Sequence, residues 1–214
     1  MSSIKLTADS GGGTFEIKAP SSGSNARILT IPDETATLLT SATSTGKILQ
    51  TVSVSDSVRG TSGSVSVSSQ GTYYATPFTV TITPSATSSK ILLMGHVMGE
   101  SSINDYRMIW SIERAISGGA TTDILAPAAG NRNRSISNFV SGFYSSENAS
   151  TPTAVSFSGL LDSPSTTSAI TYTFQVAAPE EGSVTFYYNR TVNDTDAVAF
   201  ERGLSWITAQ EIAA

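Results

Sequence analysis

Residues 78–114 constrain the fold more than any other stretch. They open with Phe78-Thr79-Val80-Thr81-Ile82-Thr83, apolar and polar side chains in strict alternation, and the run stops at Pro84. Successive side chains of a strand point to opposite faces, so this run predicts a strand with one buried and one wet face. A turn, Ser85-Ala86-Thr87-Ser88-Ser89, leads into Lys90-Ile91-Leu92-Leu93-Met94-Gly95-His96-Val97-Met98, which is apolar in both phases. Such a strand is expected to be covered on both faces. After Gly99 and a polar bend, Tyr106-Arg107-Met108-Ile109-Trp110-Ser111-Ile112-Glu113-Arg114 alternates again. Two half-buried strands are therefore expected to flank a doubly covered one. In one small sheet the second cover must come from another sheet or another chain.

The rest of the chain repeats this pattern in shorter pieces. Ile4-Lys5-Leu6-Thr7 and Thr14-Phe15-Glu16-Ile17-Lys18-Ala19 alternate on either side of Gly11-Gly12-Gly13, and Arg27-Ile28-Leu29-Thr30-Ile31 follows a turn cluster. Leu38 and Leu39 add a small apolar patch. A segment of this length with so few large side chains cannot bury an adequate core alone, so residues 1–45 are expected to need self-association or a docking partner. Ser41-Ala42-Thr43-Ser44-Thr45-Gly46 reads as a linker. A second domain, residues 46–214, then begins with Lys47-Ile48-Leu49-Gln50-Thr51-Val52. Residues 53–76 alternate Ser and Val and read as a hairpin or a long edge loop with weak core content; residues 120–135 read as loop. Strands are expected at 137–144, 153–161, 169–177, 183–189 and 204–212, with turn clusters between them. No dozen-residue window carries a helical stripe; residues 198–202 allow one turn of helix at most. Short strands at close spacing predict an all-β chain, with an antiparallel sandwich or jelly-roll-like C-terminal domain.

Composition excludes several function classes. The 214 residues carry a net charge of −5, which argues against a basic nucleic-acid-binding face. Cysteine is absent, so no disulfide frame, thiolate nucleophile or Cys-based metal site exists. No apolar run approaches the roughly 20 residues of a membrane span. Met-Ser-Ser-Ile-Lys-Leu lacks a signal-peptide core. The chain is expected to be soluble and not exported through a cleaved signal, with no cofactor, no nucleic-acid partner and no membrane insertion.

Few side chains suggest chemistry. His96 is the only histidine and has no carboxylate near it in sequence, so it reads as a packed or interface residue rather than a catalytic or zinc-binding one. Leu92, Met94, His96 and Met98 share one phase of the doubly apolar strand and are the candidate subunit-interface residues. If identical chains meet there, several copies of His96 gather and the interface becomes acid-sensitive. Asn189 and Asn193-Asp194-Thr195-Asp196 offer oxygens but lack the glycine and distal glutamate of a calcium loop, so they read as an Asx-rich turn. Glu180-Glu181 lies on a Pro/Gly turn, which gives no control of the carboxylate separation that glycoside hydrolysis needs. Asn131, Arg132, Asn133 and Arg134, with Tyr144 near in sequence, form the concentrated donor cluster; they suit glycan or phosphate recognition, and the plain alternative is a solvated loop. Asn148, Asn189 and Asn193 start glycosylation sequons, which have meaning only where a secretory glycosylation pathway handles the chain.

Several stretches resemble a known family. Ile4-Lys5-Leu6, Gly13-Thr14-Phe15-Glu16-Ile17-Lys18-Ala19-Pro20, Leu29-Thr30-Ile31-Pro32-Asp33 and Thr37-Leu38-Leu39-Thr40 are similar to the short β repeat of tail fibres from marine phages, cyanophages especially. Gly46-Lys47-Ile48-Leu49-Gln50 resembles the junction into their C-terminal domain. Thr81 to Leu93 is similar to that domain's first hairpin, and Ser205 to Ile212 to its last strand. Ala36 stands where a glycine is usual, and residues 53–76 look longer than the pattern. The resemblance implies a homotrimeric virion appendage, and the lack of a credible carboxylate pair makes a non-enzymatic one the expectation. Residues 1–45 would dock on another virion protein and the C-terminal domain would meet a host cell-surface glycan or protein. A head-decorating protein, a cellular carbohydrate-binding module and a polysaccharide depolymerase are the alternatives; the last would need clustered carboxylates.

Overall fold

The computed structural model describes residues 3–7, 11, 14–18, 47–103, 108–139, 150, 152–180 and 182–213. The chain divides into two compact units, residues 1–40 and 41–214. In the first, β1 (Ser3–Thr7) pairs antiparallel with β2 (Thr14–Lys18), Ser3 opposite Lys18 and Thr7 opposite Thr14. The strand expected at 27–31 and the patch at Leu38 and Leu39 lie outside the described residues.

The second unit is an antiparallel sandwich. Its elements are β3 (Ile48–Ser53), α1 (Asp56–Arg59), β4 (Gly63–Val67), β5 (Tyr74–Ile82), β6 (Lys90–Ser101), β7 (Ile109–Ile116), β8 (Thr121–Ile124), β9 (Ser137–Asn138), β10 (Thr153–Asp162), β11 (Ile170–Ala177), β12 (Val184–Tyr188) and β13 (Trp206–Ile212). A six-stranded sheet runs β3-β13-β6-β12-β4, with β10 on the other side of β6. A five-stranded sheet runs β5-β11-β7-β8, with β9 also paired to β7. From β4 to β7, and again from β10 to β12, consecutive strands alternate between the two sheets, the jelly-roll-like feature expected from the strand spacing.

This alternation corrects the reading of residues 78–114. β5 and β6 are not a hairpin, and β7 does not flank β6. β5 and β7 belong to the opposing sheet, and β6 lies between β13 and β10. The turn at 85–89 is a corner between sheets, and Glu211 of β13 holds it. That carboxylate is 1% exposed. Its Oε1 accepts from Ser85 N (2.7 Å), Ser85 Oγ (2.6 Å) and Ser89 Oγ (2.7 Å), and its Oε2 accepts from Gln50 Nε2 (2.7 Å). Burial on both faces belongs to most of β11 and to residues 109–112 of β7. In β11, Ile170, Tyr172, Phe174 and Val176 face the core, while Thr173 and Gln175 are buried on the other side. β6 is different. Ile91, Leu93 and Val97 are fully buried, yet Leu92, Met94, His96 and Met98 are only half-buried.

Residues 53–76 are not a hairpin of their own, though part of them does lie at a sheet edge. They hold α1 and the edge strand β4, which pairs with β12, and Val54 and Val67 join the core. Part of the expected loop at 120–135 is β8, which forms a hairpin with β7. Pro77 sits inside β5, where register against β11 shifts; an edge strand at a bulge accommodates a residue that cannot donate.

The core is aromatic. Trp110 stacks on Phe174 at 5.2 Å and lies 5.0 Å from Phe157, while Phe139 bridges Phe174 (6.1 Å) and Phe186 (5.0 Å). A polar strut ties the sheets: Arg114 Nη1 of β7 pairs with Asp162 Oδ1 of β10 at 2.8 Å, and Tyr172 Oη of β11 donates to Asp162 Oδ2 at 2.7 Å. Burial, and then the Asp162 carboxylate, push the Tyr172 phenol pKa up.

Candidate functional site

The outer face of the six-stranded sheet carries the side chains that the core leaves out. Register places Trp206 of β13 and Ser156 of β10 on either side of His96 in β6. One step along β6, Met94 lies opposite Thr208; one step further, Leu92 lies between Gln210 and Leu161. His96 Nδ1 and Ser156 Oγ are 2.8 Å apart. Trp206 is 36% exposed, Leu161 52% and Leu204 60%. Ile48 and Leu49 at the β3 edge are also exposed. The face thus divides into an apolar end around Leu92, Met94 and Leu161, and an aromatic and polar end around Trp206, His96 and Ser156.

Residues 189–205 wall the second end. Asn189 has φ +58° and is 1% exposed. Its Nδ2 donates to Arg59 O (2.7 Å) and Thr61 O (2.8 Å), and its Oδ1 accepts from Ser205 Oγ (2.6 Å). Ser205 Oγ in turn accepts from Met98 N at 3.0 Å. Gly203 lies over Met98 so closely that a Cβ there would overlap Met98 Sδ. The chain's own segment therefore packs on Met98, unlike Leu92 and Met94. Arg202 Nη2 pairs with Asp194 Oδ1 at 2.6 Å, and its Nη1 donates to Ser62 Oγ at 2.5 Å. Arg190 reaches Asp194 Oδ2 at 3.5 Å and lies over the Tyr187 ring at 4.4 Å. The result is an open recess of about 770 Å³ lined by Gly60, His96, Ser156, Arg202, Gly203, Leu204 and Trp206.

The acidic turn is bonded internally. Asn193 Oδ1 accepts from Thr195 N (3.1 Å) and Thr195 Oγ1 (2.6 Å), the Asx turn expected from the sequence. Asp194 is held by two arginines, and no cluster of three metal-ligating side chains occurs among the described residues. The Asn189 sequon is sealed, because its amide is buried and bonded.

The donor loop at 131–134 lies on the side of the five-stranded sheet and does not meet the recess. Tyr73 Oη donates to Arg134 O at 2.6 Å, Arg134 Nε donates to Ala126 O at 2.6 Å, and Asn133 Nδ2 approaches Pro179 O at 3.4 Å. Burial, then the Asp123 charge, push the Tyr73 phenol pKa up. Asn131 and Arg132 are exposed, and Tyr144 lies outside the described residues. Arg134 therefore closes its own loop, whereas Arg132 is exposed and makes no side-chain hydrogen bond among the described residues. Arg132→Ala should leave stability within about 0.5 kcal/mol of wild type. Arg134→Ala should cost about 1 kcal/mol, the worth of its bond to Ala126 O. Paired thermal melts check the difference, and equal melting temperatures would contradict it.

Trp206, Leu204, Arg202 and Ser156 did not stand out in the sequence. The available signal was an aromatic at the head of the wet phase of β13, Trp206-x-Thr208-x-Gln210, where only polar residues are needed.

No protein-family model matches the chain. No curated protein matches it in sequence. One solved structure, titled "Structure of infectious bursal disease virus Gx strain", superposes with a TM-score of 0.33 at 10% identity, covering 77% of this chain and 37% of that one. So loose a superposition does not define a shared topology.

Proposed function

We propose that this chain is a non-enzymatic structural protein of a phage virion, a subunit of a trimeric, fibre-like appendage that attaches to the host surface. The observation that carries the reading is the half-covered outer face of β6. The sandwich completes its core with Ile91, Leu93 and Val97, yet Leu92, Met94, Leu161 and Ile48 still present an apolar surface. Apolar surface left at Leu92, Met94 and Leu161 is what a homo-oligomer covers. The resemblance of residues 4–40 and 46–50 to marine phage fibres supplies the virion context. Head decoration would use the same surface, and labelling of purified particles with an antibody to this chain separates head from tail. The described carboxylates at Glu211, Asp162 and Asp194 are committed to structural bonds, which supports a role without hydrolysis.

Light scattering on the purified chain should give the mass of a trimer. Leu92→Glu combined with Met94→Glu should give a folded monomer, because both side chains project from the outer face. A wild-type protein that stays monomeric at micromolar concentration would overturn the reading.

A further inference from the structure

We propose that the recess at Trp206 is a saccharide-binding subsite, built to take a neutral hexose unit of a surface glycan. The site rests on the recess itself and holds whether or not the chain belongs to a virion. Its volume of about 770 Å³ lies within the roughly 300–1,000 Å³ of small-ligand sites. An aromatic ring offers an apolar face for the C–H face of a pyranose, and its polar surroundings must then meet the hydroxyls. Both parts are present. Trp206 stands on a rigid central pair of strands rather than a loop, is 36% exposed, and has exposed Leu204 beside it. Ser156 Oγ and His96 are already oriented by their mutual hydrogen bond, and among the described residues His96 Nε2 has no hydrogen-bond partner.

The charge pattern selects the ligand class. Among the described residues that line the recess, Arg202 is the one permanent cation, and Asp194 pairs with it at 2.6 Å. Arg202 brings guanidinium donors to the recess, while Asp194, which lies outside the lining, offsets its charge and leaves little net charge to attract an acidic sugar. Arg132, by contrast, is an exposed arginine on the other side of the sandwich. Asn189 fixes the wall by holding residues 59–61 and Ser205 together, so the recess is formed before any ligand arrives.

The test uses the full chain and both of its tryptophans. Trp110 is 2% exposed and Trp206 36%, so acrylamide quenching of the exposed fraction reads Trp206. Affinity electrophoresis through gels containing a soluble β-glucan, a galactomannan or, as the acidic control, alginate supplies the binding readout. We expect retardation by at least one neutral polysaccharide and a reduced quenching rate when its oligosaccharide is added. Trp206→Ala should weaken binding roughly tenfold or more while leaving the melting temperature near wild type, because the ring lies outside the core. Trp206→Phe should keep part of the affinity, and Arg132→Ala all of it. The proposal falls if neither neutral polysaccharide retards the protein, or if retardation survives Trp206→Ala. It also falls if alginate alone retards the protein and Arg132→Ala removes that effect. A Trp206 that is shielded without saccharide and becomes quenchable only in the Leu92→Glu/Met94→Glu protein would overturn it too, since the recess then lies under a neighbouring copy. Trimer mass by light scattering is read separately, so loss of the saccharide site and loss of the trimer are distinguishable.

Discussion

Glu211→Gln is expected to lower the melting temperature by roughly 6–12 °C at neutral pH, with the effect vanishing in acid. The reason is the donor set around one buried carboxylate. Burial by itself would raise the Glu211 pKa, but hydrogen bonds from Ser85, Gln50, Ser89 and the Ser85 backbone override it and lower the value from 4.5 to about 2. Holding the value at about 2 rather than 4.5 corresponds to about 3 kcal/mol of stability. At about 2–4 °C per kcal/mol for a domain of this size, that gives the quoted range. The folded pKa lies below the unfolded one. The contribution is therefore complete above about 4.5, declines as pH falls through the window from 4.5 to about 2, and is gone below it. Glutamine keeps one acceptor but aims an NH₂ group at donors that need an acceptor. Denaturant titrations of wild type and variant at pH 7 and pH 2.5 check this. A stability gap that is the same at both pH values would show that the carboxylate's charge is not what holds the 85–89 corner.

Asn189→Ala is expected to be at least as damaging, at about 3–4 kcal/mol. Two separable causes combine there. The amide satisfies the carbonyls of Arg59 and Thr61 and receives the Ser205 hydroxyl, all inside a position 1% exposed. Each buried partner left unsatisfied costs about 1–3 kcal/mol. The backbone also sits at φ +58°, which asparagine tolerates and alanine does not. Asn189→Gly relieves the second cause and keeps the first, so it should be about 1 kcal/mol more stable than the alanine variant. Equal stabilities for the two would mean that the hydrogen bonds alone carry the effect. An unchanged melting temperature for both would mean that the wall of the recess does not depend on this residue.

The strands were largely legible, because each is written in local alternation. Residues 204–212 were expected as a strand, and β13 spans Trp206–Ile212. β10, β11 and β12 fall within a few residues of their expected bounds. β8 escaped because Thr121-Thr122-Asp123 is exposed throughout and carries no apolar phase. β4 was obscured by serine: Gly63-Ser64-Val65-Ser66-Val67 alternates, but its single fully buried valine gives little signal. In the candidate site, His96 was visible because it is a singular residue in an apolar strand. Trp206 was not visible, because a tryptophan in a terminal strand reads as core until the register shows which face it takes.

By itself the sequence determined that the chain is all-β, where most strands lie, and which phase of each is apolar. Those properties depend on neighbours two residues apart, which the chain carries in its own order. The tertiary structure alone decided which strands pair. β5 and β6 are joined by a short turn yet enter different sheets, and the residue that holds them apart, Glu211, is 126 positions from Ser85. It also decided that β11, and not β6, is covered on both sides by its own chain. Alternation says that a strand has two unlike faces; what lies against each face depends on contacts between distant segments, and these form only when the sheets close.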